Sequence, residues 1–265
     1  MIRGSRVSEP KRYETTRYED GEPREHRDSV PAESSVDIFL CGTRIVTLQA
    51  TPDEQVELAV GFLLSEGLLQ DSSEYVGSTF DSEEGVVHIE ARDRSAVLSR
   101  LLDKGEVMRT SGCGRGTSFG GYGDIPKVNT HLEISPAIIT QLTGLMLEGA
   151  RLHSTCGGVH CSALARDGEI LFLSEDIGRH NTMDKIIGKG TLSGTELSSC
   201  IALTTGRVSS EMVAKCARLC IPVIASLSCP TDMAVEIGKR LGVTIVGYVR
   251  GRRLTVYTHE DRVRG

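Results

Sequence analysis

Several familiar features are missing from this chain, and each absence narrows its function. No apolar run is long enough to span a bilayer. The N-terminus carries Arg3, Arg6, Lys11 and Arg12 but no apolar core segment, so it does not read as a secretory signal, and the expected location is cytoplasmic. Basic charge is not in excess. Thirty Lys and Arg against 36 Asp and Glu leave a formal net charge of −6, which argues against a general nucleic-acid binder. There is no Walker loop and no internal repeat. The glycines near Cys113 depart from Gly-x-Gly-x-x-Gly because Thr117 takes the last glycine position, so a standard dinucleotide fold is not expected.

What is present suits a soluble-type globular chain. A length of 265 residues, with 39% hydrophobic and 25% charged residues, allows one large or two small domains. Eight cysteines in a chain with that expected address read as thiols rather than as a disulfide framework. Cys41, Cys156, Cys161, Cys200, Cys216, Cys220 and Cys229 lie mostly beside aliphatic residues, and most of them read as small buried hydrophobes. Cys113 differs. It stands in Arg109-Thr-Ser-Gly-Cys-Gly-Arg-Gly-Thr-Ser-Phe-Gly-Gly121, between two glycines, with Arg109 and Arg115 on either side. Glycine leaves the sulfur uncovered, and two nearby cations favour the nucleophilic thiolate. An incidental free cysteine in a turn would look the same from this stretch alone.

In chain order, residues 1–30 are rich in charge and poor in aliphatics and are expected to be a flexible tail. Residues 31–108 read as a small α+β unit. Its strands are Val36 to Leu40, Arg44 to Leu48, Val76 to Phe80 and Val86 to Ala91. Its helix is capped by Thr51, with Pro52 at the first position, and carries an apolar face of Val56, Ala59, Val60, Leu63 and Leu64. Residues 109–134 form the cysteine loop and a linker, and residues 135–265 a second domain. In the latter, strands at 170–173, 201–203, 222–225 and 243–249 alternate with helices, which predicts a largely parallel sheet covered on both faces. The cluster from His153 to Cys161 has no zinc-framework spacing and reads as a strand edge. His88-Ile-Glu90 and His131-Leu-Glu133 lack the Pro-Cys-x-x-Cys partner of a zinc deaminase.

Each strand of the second domain releases into a polar turn, and ligands of open α/β sheets bind at that edge. Asp176, Arg179, His180, Thr205, Arg207, Ser226, Ser228 and Arg250 gather there, and the repeated arginines suit a polyanion such as a phosphorylated cofactor.

These residues resemble one family, the formate dehydrogenase accessory proteins known as FdhD. The likeness rests on Gly61-Phe-Leu-Leu-Ser-Glu-Gly67, Arg109-Thr-Ser-Gly-Cys-Gly114, Gly157-Gly-Val-His160, Ser174-Glu-Asp-Ile-Gly-Arg-His-Asn181 with Asp184-Lys185, Thr205-Gly-Arg207, Glu211-Met212, Pro222-Val-Ile-Ala-Ser226 and Gly247-Tyr-Val-Arg-Gly-Arg252. The resemblance implies a sulfurtransferase in which Cys113 carries a persulfide from a cysteine desulfurase to the molybdenum bis-molybdopterin guanine dinucleotide cofactor, destined for formate dehydrogenase. It also implies a cytidine-deaminase-like αβα C-terminal domain without the zinc site, a smaller N-terminal α+β domain, no tightly bound metal of its own, and a homodimer. The family's cofactor-binding segment corresponds to Tyr248, Val249, Arg250, Gly251, Arg252 and Arg253. Family members often carry Cys-x-x-Cys in the loop, and here the second position is Gly116. That leaves a single-cysteine relay. The alternative is a cofactor chaperone that does not handle sulfur.

Overall fold

The structure is a computed structural model that describes residues 9–103 and 122–265. Cys113, Arg109, Arg115 and Gly116 lie outside the described residues.

The chain opens with strands β1 (Lys11–Glu19) and β2 (Glu22–Val30), paired antiparallel in full register. For residues 11–30 this hairpin replaces the expected flexible tail, and residues 1–8 of that expectation lie outside the described residues. Asp20 and Gly21 both take positive φ, the backbone of a two-residue hairpin turn. Thr15, Thr16, Tyr13 and Tyr18 favour extended backbone, and Arg27 faces Glu14 across the strands at 3.0 Å. Aliphatic content was a poor guide here, because turn and cross-strand chemistry replace a buried face.

Residues 34–91 form a four-stranded sheet in the order β4-β3-β6-β5, built from β3 (Ser34–Leu40), β4 (Thr43–Ala50), β5 (Tyr75–Asp81) and β6 (Val86–Ala91). Val36, Ile38 and Leu40 alternate inward at the period of two. Helix α1 (Gln55–Ser65) packs on this sheet and α2 (Arg94–Asp103) follows it. Thr51 does not cap α1. The helix starts at Gln55 behind Glu54 in the left-handed conformation, with no side-chain cap. The Thr51 hydroxyl instead donates to Asp176 and accepts from Lys185, far along the chain.

The larger layer is an αβα sandwich. Its six-stranded sheet has the order β12-β11-β10-β9-β7-β8. The strands are β7 (His160–Arg166), β8 (Glu169–Asp176), β9 (Ile201–Thr204), β10 (Val223–Ser226), β11 (Thr244–Arg250) and β12 (Arg253–Val256). Strands β9, β10 and β11 run parallel, whereas β7, β8 and β12 join antiparallel, so the sheet is mixed rather than largely parallel. Helices α5 (Arg179–Leu192), α6 (Ser210–Arg218) and α7 (Asp232–Leu241) cover one face over Ala202, Ile224 and Ile245. Helix α3 (Pro136–Gly149) covers the other over Leu203, Ala225 and Val246, and the short α4 (Arg151–Cys156) leads into β7. Ser135, Ser209 and Thr231 each accept a hydrogen bond from a backbone N–H of the first turn of α3, α6 and α7, and Pro136 opens α3.

Helix α1 is buried on nearly every side because it lies between the two layers, against α5. Gly61 and Gly188 make the approach possible. A Cβ on Gly61 would sit 1.8 Å from the Asp184 carbonyl oxygen, and one on Gly188 1.9 Å from that of Glu57. Buried cations tie the same seam. Lys185 meets Asp176 at 2.6 Å, Lys189 meets Glu54, and Lys215 reaches Asp184 at 2.8 Å and Glu66 at 2.9 Å. Charges removed from water need such partners, and apart from Lys185–Asp176 these pairs join segments far apart in sequence.

Candidate functional site

The carboxyl edge of β9, β10 and β11 is where side chains with chemistry to offer converge. The edge is extended by the start of β7 and the end of β8, because β7 runs antiparallel beside β9 and β8 antiparallel beside β7, which brings His160 next to Thr205 and opposite Asp176.

At one end, α5 begins with Gly178, Arg179 and His180. His180 Nε2 lies 3.1 Å from Glu211 Oε2 and 3.3 Å from Ser209 Oγ, so the first turns of α5 and α6 share an ion-pairing contact. That hydrogen bond from His180 holds the Glu211 carboxyl below its usual range, against the opposing effect of burial. Arg179 packs against Gly206, where a Cβ would come within 2.9 Å of the Arg179 Cβ, and its Nε is buried without a hydrogen-bond partner. His160 is half-buried. Burial first, then the positive field of Arg179, His153 and His180, lowers its affinity for a proton. This end of the edge is therefore electropositive, with a neutral imidazole beside a guanidinium.

The middle of the edge is a brace. Ser226 Oγ donates to the Gly206 carbonyl at 2.6 Å and accepts from Ser228 N–H, and Thr205 Oγ1 accepts from the Cys161 N–H. Val208 N–H donates to Cys229 O, and Tyr248 N–H donates to Ser228 O. These bonds join the turns after β9 and β10 to the end of β11.

At the other end, β11 breaks its register with β12 between Gly247 and Arg250. Tyr248 takes a φ of 52° and is exposed, and Cys229 beside it pushes the phenol up. Arg250, Gly251, Arg252 and Arg253 form an exposed turn that presents three guanidinium groups to solvent. Val249 faces the other way and is 1% exposed in the α3-side core, so only its backbone is available to a ligand.

Of the residues expected at this edge, Arg179, His180, Thr205, Arg207, Ser228 and Arg250 stay within it. Asp176 does not. Its carboxylate is fully buried, paired with Lys185, and accepts from Thr51, Gly178 and Asn181. Ser226 is likewise spent on the brace. His160 and Ser209 join the site only through tertiary contact, and Glu211 was visible in the sequence as a motif residue without a role. Most of the other cysteines are buried as expected: Cys41, Cys161, Cys200 and Cys216 are buried, while Cys156 and Cys229 are half-buried and Cys220 is exposed. Burial pushes the Cys161 and Cys216 thiols up, the second to about 12, which keeps both protonated and unreactive. The His153–Cys161 cluster is dispersed. Residues 151–156 are helical, Cys156 donates to the Leu152 carbonyl, and Cys161 points into the core. No helix among the described residues is long and apolar enough to cross a membrane.

Comparison with known proteins agrees with this layout. The family model described as FdhD/NarQ family matches residues 31–264. A sulfur carrier protein FdhD of Bacillus subtilis strain 168 is 33% identical over 256 residues, covering 94% of this chain and 95% of the relative. One of Streptomyces avermitilis is 32% identical over 277 residues, covering 97% and 96%. The crystal structure from Desulfotalea psychrophila, described as a formate dehydrogenase accessory protein, superposes with a TM-score of 0.79 at 24% identity, covering 97% of this chain and all of that one.

Proposed function

The chain belongs to the FdhD/NarQ family, and from that membership we propose that it is a sulfurtransferase serving formate dehydrogenase. The observation that carries this reading is full-length similarity, above 30% identity, to proteins named as sulfur carriers. Within the chain, the support is a cysteine flanked by glycines and arginines, Arg109 to Arg115, whereas Cys41, Cys161, Cys200 and Cys216 are buried by the fold.

In this reading Cys113 thiolate attacks the terminal sulfur of a persulfide on a cysteine desulfurase. A new S–S bond forms on Cys113, the donor S–S bond breaks, and the donor cysteine leaves as its thiolate. Arg109 and Arg115 favour the attacking thiolate. The acceptor is the molybdenum bis-molybdopterin guanine dinucleotide cofactor, a substrate that the protein hands on to formate dehydrogenase. Its phosphates suit the exposed guanidinium groups of Arg250, Arg252 and Arg253, with Tyr248 offering a ring and Val249 and Gly251 offering backbone. We read the αβα layer as cytidine-deaminase-like, the protein as cytoplasmic, and its working form as a homodimer.

A second reading, a cofactor chaperone that does not handle sulfur, is favoured by one observation. Gly116 stands where family members often carry a second cysteine. Mass spectrometry after incubation with a cysteine desulfurase and cysteine separates the two. One added, reductant-labile sulfur on the Cys113 peptide is the expected result. A folded protein and an active desulfurase with no sulfur on that peptide would transfer the assignment to the chaperone.

A further inference from the structure

Among the described residues the hairpin β1–β2 has no third strand, and every residue of β1 is exposed. Two-stranded hairpins are marginal in water, and a bare edge of nine residues is a template for another strand. We propose that the outer edge of β1 is the homodimer interface, pairing antiparallel with β1 of a second copy about a twofold axis at Thr15 to make a continuous four-stranded sheet. This takes up the dimeric part of the proposed function and is independent of the sulfur chemistry.

The hydrogen-bonding geometry selects the edge. The two-residue turn Asp20-Gly21 makes Glu19 and Glu22 a hydrogen-bonded pair, and the pattern then alternates along the register. Residues 11, 13, 15, 17 and 19 therefore turn their backbone groups toward β2. Arg12, Glu14, Thr16 and Tyr18 turn theirs outward, each with both an N–H and a C=O. The outward set on β2 begins with Pro23, opposite Tyr18, which has no N–H to donate. Strand β2 also packs on α4, and Pro31 after it lies against Gly158. Thus β2 is the blunted side and β1 the complete one.

Side-chain chemistry then selects the register. A twofold axis normal to the sheet can only place a residue opposite its own copy. Centred on Thr15, it sets Lys11 opposite Glu19, Arg12 opposite Tyr18, Tyr13 opposite Arg17 and Glu14 opposite Thr16. Each pair occurs twice. Two are ion pairs, four are cation–π contacts, and Tyr13 and Tyr18, 51% and 70% exposed in the single chain, become covered. Moving the centre to Glu14 sets Lys11 against Arg17 and Glu14 against itself. Moving it to Thr16 carries Lys11 and Arg12 past the partner strand, opposite its turn. Only the Thr15 register is free of like-charge contacts while using the whole strand. The alternative acceptor for such an edge, an unrelated extended peptide, would have no reason to match this self-complementary order.

Sedimentation equilibrium on the full chain tests the interface. The wild type should dimerise. Lys11→Glu replaces two attractive pairs with two repulsive ones and should weaken self-association by about tenfold or more. Lys11→Glu combined with Glu19→Lys should restore it, which a misfolded hairpin would not do. Thr16→Pro removes an outward N–H without touching the β1–β2 ladder and should also dissociate the dimer. A wild type that stays monomeric at all concentrations would overturn both the dimer and this surface. A dimer unaffected by Lys11→Glu and Thr16→Pro would overturn the surface alone, and a Lys11→Glu defect that the charge swap does not rescue would overturn the register.

Discussion

Replacing Gly188 by alanine opposes two forces of different origin. Helix propensity favours the change by about 1 kcal/mol, because alanine loses less backbone entropy than glycine in a helix interior. Packing at the α1–α5 seam opposes it. The new Cβ would lie 1.9 Å from the Glu57 carbonyl oxygen and 2.7 Å from its carbon, both backbone atoms that no rotamer change can move. Relief to an ordinary contact near 3.4 Å requires the two helices to part by about 1.5 Å. That separation strains the bonds across the same seam, Ser65 to Asp184 at 2.7 Å and Lys189 to the Glu54 carboxylate at the start of α1. Overpacking costs about 1–3 kcal/mol, and loosening a buried charged hydrogen bond adds about 1.5 kcal/mol or more, so a net loss of roughly 2–4 kcal/mol is expected. Gly144 in α3 is the matched control, since a Cβ there meets nothing within 4 Å, and Gly144→Ala should stabilise by up to about 1 kcal/mol. Urea titrations followed by far-UV circular dichroism measure both. Gly188→Ala proving as stable as Gly144→Ala, or more so, would refute the close-approach reasoning.

Lys215→Met should destabilise by about 3–5 kcal/mol in the same titration, because it strands the Asp184 carboxylate in the interior without its cation. Acid should destabilise the fold in two steps. His160 has a folded pKa below the ordinary 6.5, so the unfolded chain takes up the proton first and stability falls as pH drops below that value; His160→Gln should flatten the slope between pH 7 and 5. Glu211, held ionised by His180, contributes stability that disappears as pH falls from the ordinary 4.5 through its lowered pKa, and Glu211→Gln should remove that portion of the acid limb. Replacing Arg250 and Arg252 together by alanine should weaken binding of the guanine dinucleotide cofactor by roughly 3–6 kcal/mol in calorimetric titration, at about 1.5–3 kcal/mol for each charged hydrogen bond, while leaving persulfide formation on Cys113 unchanged.

Local signals in the sequence were enough for much of the αβα layer. The strand–helix alternation from Ile201 to Val249, the caps Ser135, Ser209 and Thr231, and the polar turns at the strand ends are all encoded within a few residues of where they act. Two hairpins were legible but unread. Asp20-Gly21 and Asp167-Gly168 both adopt the positive φ pair of a tight turn, and they create β1–β2 and the antiparallel β7–β8 edge.

What the sequence determined by itself is therefore the strand–helix alternation of the second domain, the caps Ser135, Ser209 and Thr231, the family motifs and the setting of Cys113 between glycines and arginines. Tertiary structure alone decided which polar residues are free. Asp176 looks like a site carboxylate in the sequence, yet Lys185 consumes it inside the fold, as Lys215 does Asp184 of the family motif. His180 and Glu211 are 31 positions apart and become a pair only because two helix starts meet at one sheet edge. Val249 lies in the cofactor-like segment but turns inward where β11 slips its register. The physical reason is common to all of them. A charge can leave water only when a partner from elsewhere in the chain is already there, and that depends on how the layers close.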